Sequence, residues 1–530
     1  MLASVNEKNS EKNQLDVHHN GQNVKQISCV RAGFLFYNCW IFCYPCLYMS
    51  QHLAKNTAFM TMASVGQKLI AFVYFLFLAR TMMPERTGMF FLATSIVTAF
   101  SVFEDLGLTS ILIREIAKHP ENREVATRQA VGLKLTLIVF TVILIFIATP
   151  LFGYGKEISE YILITTSVMI IDALALIGYG VLRGSQKLRY EAFGMFLAQC
   201  VTVLIGSLSL ILHPDVRFLI LALFCGSLTS LIISISQVIR LYGWRLLIPS
   251  WNKQAQWKMM KIMIPFALTG IFTKIYSSLD IVLISKIMST TAVGIYSVAF
   301  KFTYAFQFLP LAFSAALYPS LSSTIEHDKK ATAHTFDRAI WYILLIATPI
   351  VFGVWLIAPE MVRLTGHGYS ESAVVLRTLI FVLFPSFLEI PFGALLNASD
   401  RQTTRMKIMG LAMVVNAVID LFLISRLGLV GAVIGSLISY SVMILTELFI
   451  VSKFLPQFLN RAFIFRTFNT ILSGIAMLVV GLILKIWLHW FLVIPFAALV
   501  YVGALLLTRA ITKQDVIGLR SLFRKSAPLV

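Results

Sequence analysis

Lys68, Lys274 and Lys301 each lie inside a long, mostly apolar segment of the chain. An ammonium group in such surroundings has two uses. It can be tied to a carboxylate, or it can hold an anion by charge-assisted hydrogen bonds. The carboxylates in comparable surroundings are Glu104, Asp105, Asp172, Asp280, Glu389, Asp420 and Glu447. Asp172 and Glu389 stand thirteen and ten residues before the serine of a hexapeptide that occurs in two forms, Leu182-Arg-Gly-Ser-Gln-Lys187 and Leu396-Asn-Ala-Ser-Asp-Arg401. Carboxyl groups held away from water can carry a proton or a small cation, and Asp172, Glu389 and Asp280 are the candidates for that role. Glu104, Asp105, Asp420 and Glu447 sit nearer segment ends, where capping or pairing with loop cations is expected. Cys39, Cys43 and Cys46 have a spacing that could ligate zinc, yet they lie among aromatic residues with no histidine pair, so no metal site is assigned. No HExxH, GxSxG or P-loop pattern occurs, and neither catalytic residues nor a cofactor is expected.

The segments that position these groups read as membrane spans. Of 530 residues, 58% are hydrophobic and only 13% charged, with a mean hydropathy of +0.82. Soluble chains carry roughly 25% charged residues, so too little polar surface remains to clothe a water-soluble globule. Apolar runs recur at the length of about 20 residues that a bilayer-crossing helix needs, and alternating barrel strands are absent. The expected fold is an all-α integral membrane protein of about 14 transmembrane helices. They fall near 58–79, 88–112, 129–151, 158–181, 192–212, 218–239, 262–285, 292–318, 339–358, 372–398, 408–425, 429–452, 467–484 and 491–508. Within these, Lys68 and Lys274 lie roughly 16 Å deep at 1.5 Å per residue, farther than a lysine stem can snorkel. A charge so placed usually faces a cavity.

The net charge of +19 is distributed along segment ends and not in one patch, which excludes a nucleic-acid partner. Loops after even-numbered spans, with the C-terminus, hold 26 Lys and Arg, against 8 in loops after odd-numbered spans. Positive loops stay cytoplasmic, so both termini are expected in the cytoplasm.

The two halves of the chain align with each other. At an offset of 206, Lys68 falls on Lys274, Arg80 on Lys286, Gly88 on Gly294 and Phe90 on Tyr296; the hexapeptides align at 214. Six spans separate equivalent elements, so the repeats run parallel, and such halves pack around a site near the membrane midplane. As repeat mates, Lys68 and Lys274 should confront each other across the cleft, unless each is tied to a carboxylate such as Asp280.

Residues 1–48 do not fit the repeat. They are expected to be an extension outside the fold, with the functional chain starting at Met49. The remaining organisation is then a first lobe at 49–240, a linker at 241–261, a second lobe at 262–453, and a last helix pair with a basic tail at 454–530. The linker mixes Trp244, Trp251 and Trp257 with arginines and lysines, a composition suited to a helix at the headgroup level or to a plain connection with interfacial anchors.

Three stretches carry a family resemblance: Ala63-Ser-Val-Gly-Gln-Lys68, the run from Asp105 to Glu115 (DLGLTSILIRE), and Asn416 through Gly431 (NAVIDLFLISRLGLVG). From about Met49 onward the chain resembles the oligosaccharide (O-antigen type, Wzx) flippases of the polysaccharide-transport branch of the MOP exporters. The resemblance implies two pseudo-symmetric six-helix lobes plus an extra C-terminal helix pair. It also implies translocation of an undecaprenyl-diphosphate-linked oligosaccharide across the bacterial cytoplasmic membrane for surface polysaccharide synthesis. Lys68, Lys274 and Lys301 would then hold the anionic diphosphate, with H+ or Na+ as a coupling ion, and a polysaccharide polymerase and chain-length regulator as partners. A peptidoglycan-precursor flippase or a cation-coupled drug antiporter remains the nearest alternative. The lysine pair argues against a cleft built for cationic drugs. A membrane-embedded polymerase is less favoured, because the outward loops are too short to carry catalytic groups.

Overall fold

The computed structural model describes residue 60, residues 63–458 and residues 461–511. The extension 1–48, the start at Met49 and the basic tail beyond residue 511 lie outside the described residues. Among the described residues every regular element is helical, as a bilayer requires of a chain that must satisfy its own backbone donors and acceptors. In chain order these are α1 (Ala63–Thr81), α2 (Pro84–Phe100), α3 (Leu108–Lys118), α4 (Arg123–Leu151), α5 (Lys156–Gly184), α6 (Leu188–Leu212) and α7 (Val216–Tyr242). The second half follows with α8 (Lys253–Ile287), α9 (Thr290–Tyr304), α10 (Phe308–Thr324), α11 (Lys329–Arg363), α12 (Ser372–Leu379), α13 (Leu383–Ala398), α14 (Gln402–Leu427) and α15 (Leu429–Phe454). The chain then adds α16 (Arg461–Trp487) and α17 (Trp490–Leu507).

Local chemistry sets the boundaries. Pro84 opens α2, where a backbone donor is not needed. Asp328 caps α11 by accepting from the amides of Lys330 and Ala331, both at 2.9 Å. Ser289 and Asp215 cap α9 and α7 in the same way.

Among the described residues twelve helices are long and apolar enough to cross a membrane, fewer than the fourteen expected. The difference lies in the second span of each half, which is broken. Between α2 and α3, residues 101–107 leave the helix, with Leu106 at φ 43° and Gly107 at φ 83°. The break turns Glu104 and Asp105 onto Lys134 of α4. Between α9 and α10 a single 3-10 turn, Ala305–Gln307, intervenes. The linker expected at 241–261 is not a separate headgroup-level helix: a 3-10 turn, Trp244–Leu247, and a short non-helical stretch lead into α8, whose first turns, from Lys253, make up the rest of it.

The repeat is visible in the packing. α2 of the first half lies against α9 of the second along their first turns. A Cβ added at Gly88 would fall 1.8 Å from the carbonyl oxygen of Thr290, and one at Gly294 would fall 1.9 Å from that of Pro84. The two contacts are the same contact seen twice, because 84 maps to 290 and 88 to 294 at the offset of 206. Below this crossing, Phe72 and Phe75 of α1 pack on Phe302 of α9 at ring-centroid distances of 5.5 and 6.2 Å. α2 also packs on α8 across the halves; elsewhere each half packs mainly on itself, α5 and α6 against α7, and α14 against α8 and α15. The extra pair α16–α17 packs on α11, where Lys485 Nζ donates to Glu360 Oε2 and to the carbonyl of Leu356, both at 2.9 Å. Tyr501 Oη donates to the carbonyl of Leu345 at 3.0 Å.

Candidate functional site

Three cavities with ionisable side chains in their walls follow from this arrangement. The largest, 570 Å³, lies between the halves and takes Ser101, Glu104 and Asp105 from the first and Lys274, Asn397 and Arg405 from the second. A second, of 480 Å³, enters the first half past Asp172, Tyr179, Arg183 and Ser227, and Lys274 stands at its wall as well. A third, of 420 Å³, lies within the second half and is lined by Asp280, Glu389 and Arg405 among Tyr276, Tyr304 and Tyr440. Volumes of this order fall within the roughly 300–1,000 Å³ of small-ligand sites.

The wall of the cleft is an ion cluster. Lys134 is fully buried and pairs with Glu104 and, at 2.9 Å, with Asp105; Asp105 Oδ1 also accepts from Thr109 Oγ1 at 2.5 Å. Glu104 and Asp105 therefore do not pair with loop cations, as their positions suggested. They bind a lysine that the sequence hides near the start of an apolar helix.

In the second half Asp280 accepts from Tyr296 Oη at 2.5 Å and from Ser436 Oγ at 2.8 Å. Asp420 lies within hydrogen-bond reach of Asp280 and accepts from Asn416 Nδ2 at 3.0 Å. One oxygen each of Asp280, Asp420 and Asn416 is buried without a donor among the described residues. Asp420 is thus no helix cap: it is fully buried beside a second carboxylate. Glu447 is fully buried too, with neither oxygen hydrogen-bonded among the described residues, and lies near the ion pair between Arg405 and Glu389. The spacing of Asn416 and Asp420, one turn apart on one helix, is the signal that could have found this cluster. Arg405 was hidden among the loop cations.

The three lysines are not gathered at one point. Lys274 lines both the cleft and the first-half cavity and forms no ion pair within 4 Å among the described residues; the acids whose field it shares are Glu104 and Asp172, not Asp280. Lys68 is exposed on α1, one turn from Phe72, and is not among the residues lining the three cavities. Lys301 of α9 reaches across to α2, its Nζ 5.1 Å from the Phe91 ring centroid. Asp172 lines the cavity of the first half and Glu389 that of the second.

At the opposite end from the cleft mouth the halves are sealed. Tyr369 Oη donates to the carbonyl of Met82 at 3.0 Å and meets Thr87 Oγ1 at 2.8 Å. Tyr154 Oη meets Ser285 Oγ at 2.7 Å, and Lys286 Nζ sits 3.6 Å from the Tyr154 ring centroid while donating to the carbonyl of Phe152. With the Gly88–Gly294 crossing, these contacts join the halves at the end of α2 away from the residues that line the cleft.

Comparison with known proteins adds to this geometry. Residues 53–325 match the family model described as polysaccharide biosynthesis protein, and residues 265–422 match the MatE model. A probable low-salt glycan biosynthesis flippase of Haloferax volcanii, Agl15, is 22% identical over 395 residues, covering 74% of this chain and 81% of that protein. The succinoglycan biosynthesis transport protein ExoT of Rhizobium meliloti is 24% identical over 349 residues, 64% of this chain and 68% of its own. Among solved structures, the lipid II flippase MurJ in an inward closed conformation superposes with a TM-score of 0.70 at 16% identity, covering 86% of this chain and 99% of that one. That last likeness is one of fold.

Proposed function

The chain belongs to the polysaccharide biosynthesis protein family, as a multi-pass membrane transporter and not an enzyme, and from that premise we propose that it carries a polyprenyl-diphosphate-linked oligosaccharide across the bacterial cytoplasmic membrane by alternating access. The observation that carries this reading is the cleft. It is built by both halves, the halves are joined at the far end of α2, and Lys274 stands in its wall with no ion pair among the described residues. The cleft end is the end of the lysine- and arginine-rich loops, and on the positive-inside rule it faces the cytoplasm, where both termini also lie. An anionic diphosphate would enter there and be held by charge-assisted hydrogen bonds. The sugars would lie along the hydroxyls and amides of the cleft, and the prenyl tail would stay in lipid. Release on the far side requires the crossing of α2 and α9 to part as the lobes rock. The lysine and arginine in the cleft wall argue against a drug antiporter for cations; a peptidoglycan precursor shares the lipid diphosphate and differs in the saccharide and peptide it carries.

The test is surface glycan per unit of folded protein for Lys274→Ala. Loss of glycan at unchanged protein level supports the reading, and Lys274→Arg should be milder because the charge remains. Normal glycan output from Lys274→Ala would sink it. The same assay on Lys68→Ala and Lys301→Ala measures the share of the two lysines that stand away from the cleft lining.

A second reading, that transport is ion-coupled, is favoured by Asp280, Asp420 and Asn416. Two carboxylates and an amide with three unsatisfied buried oxygens hold their place at low cost only if a proton or a cation such as Na+ sits among them. Asp172 would serve the first half in the same way.

A further inference from the structure

The register of the repeat contains an inversion of charge. At the offset of 214 that aligns the two hexapeptides, Glu191 falls on Arg405. Both are the fourth residue of their helices, α6 and α14, and both reach back to the helix before. In the first half Glu191 is fully buried and accepts Nε of Arg183 at 2.7 and 2.8 Å on its two oxygens, so the pair is saturated. In the second half the arginine stands where the glutamate stood, and its pair is not saturated. Arg405 donates through Nη2 to one oxygen of Glu389, while its buried Nε has no acceptor among the described residues. Its side chain is 24% exposed and lines both the cleft and the second-half cavity.

A guanidinium with donors to spare, at the wall of a cleft that also holds a lysine with no ion pair among the described residues, is a ready anion ligand. A carboxylate and a phosphate offer the same fork to arginine. We propose that Arg405, together with Lys274, grips the diphosphate, and that Glu389 is the resident anion that holds Arg405 in place between substrates. This inference rests on the lipid-diphosphate reading of the cleft. It replaces the partnership of Lys68 with Lys274 by one in which the two cationic ligands come from the same half, on α8 and α14. Substrate arrival then exchanges one anion for another at Arg405 and leaves Glu389 free beside the buried Glu447.

The experiment measures binding of farnesyl diphosphate, a short prenyl diphosphate, to the purified full chain in nanodiscs, with farnesol as the uncharged control. Glu389→Gln removes the competing anion and should tighten binding several-fold. Arg405→Gln/Glu389→Gln removes both charges together, which avoids stranding a buried carboxylate, and should bind at least tenfold more weakly than Glu389→Gln. Arg405→Lys/Glu389→Gln should fall between them, and it carries the test if the glutamine pair does not accumulate. Equal binding by Glu389→Gln and its Arg405 double variants would overturn the assignment, as would weaker binding by Glu389→Gln than by the wild type. If the wild type itself binds farnesyl diphosphate no better than farnesol, the reading of the cleft fails and this inference falls with it.

Discussion

Substituting Gly88 by alanine tests whether the crossing of α2 and α9 is the outer gate. The added Cβ would meet the carbonyl oxygen of Thr290 at 1.8 Å, and since real Cβ contacts do not fall below 3.0 Å, the two helices must part by about 1.2 Å. The obstacle is backbone and not a flexible side chain, so it cannot swing aside. Overpacking of this kind costs about 1–3 kcal/mol, and here the cost falls only on the sealed state. The equilibrium should therefore move toward the outward-open state by roughly 5- to 150-fold. Thr87, fully buried beside Tyr369 at the seal, supplies the reporter. Thr87→Cys in a cysteine-less background should react slowly with an impermeant thiol reagent from outside, and much faster when Gly88→Ala is added. Gly294→Ala should have the same effect, because it meets the mirror contact with Pro84 at 1.9 Å. Unchanged labelling in both variants, at wild-type protein levels, would refute the assignment of this crossing as a gate.

Lys134→Ala strands Glu104 and Asp105 at a buried site and should lower stability by about 3–5 kcal/mol, read as a fall in melting temperature of the purified protein; Lys134→Met with Glu104→Gln and Asp105→Asn should recover most of it. A melting temperature unmoved by Lys134→Ala would mean the cluster is well hydrated. Asp420→Asn should abolish the dependence of transport on the coupling ion, measured as glycan flipping into vesicles under an imposed Na+ or H+ gradient, and a gradient response equal to wild type would remove this cluster from the coupling path. Cysteines at Gly155 and Gly368, both exposed, should react with impermeant reagents from outside, while one at Asn122 should not. Labelling at Asn122 in intact cells would invert the orientation.

Much of this architecture is legible from hydropathy and charge, because a bilayer leaves the chain few options. The length of apolar runs fixes helices such as α5 and α7. The breaks at 101–107 and 305–307 were not legible, since hydropathy averages over a window and does not register a turn that only brings Glu104 and Asp105 to Lys134. The site divides on the same line. Lys274 stood out because depth is a one-dimensional property that can be read from the chain. Arg405 and Lys134 did not, because each sits near a segment end, where a cation is the rule, and only the third dimension turns one toward the cleft and buries the other. Asp420 was discounted for the same reason, although Asn416 one turn earlier hints at its surroundings. The repeat was the most informative signal: it paired Gly88 with Gly294 before anything indicated that the two meet.

The tie of α16 and α17 to α11, through Lys485 and Tyr501, makes the second lobe the larger body in the bilayer. When two bodies turn against each other about a shared seam, the torques are equal and opposite, and the one that displaces less lipid turns farther. On the rocking motion proposed above, an observer fixed to the membrane would therefore see transport chiefly as a swing of α1–α7. The second lobe, moored by its extra helices, would stay nearly upright and act as the platform against which a neighbouring protein in the membrane could hold a fixed position throughout the cycle.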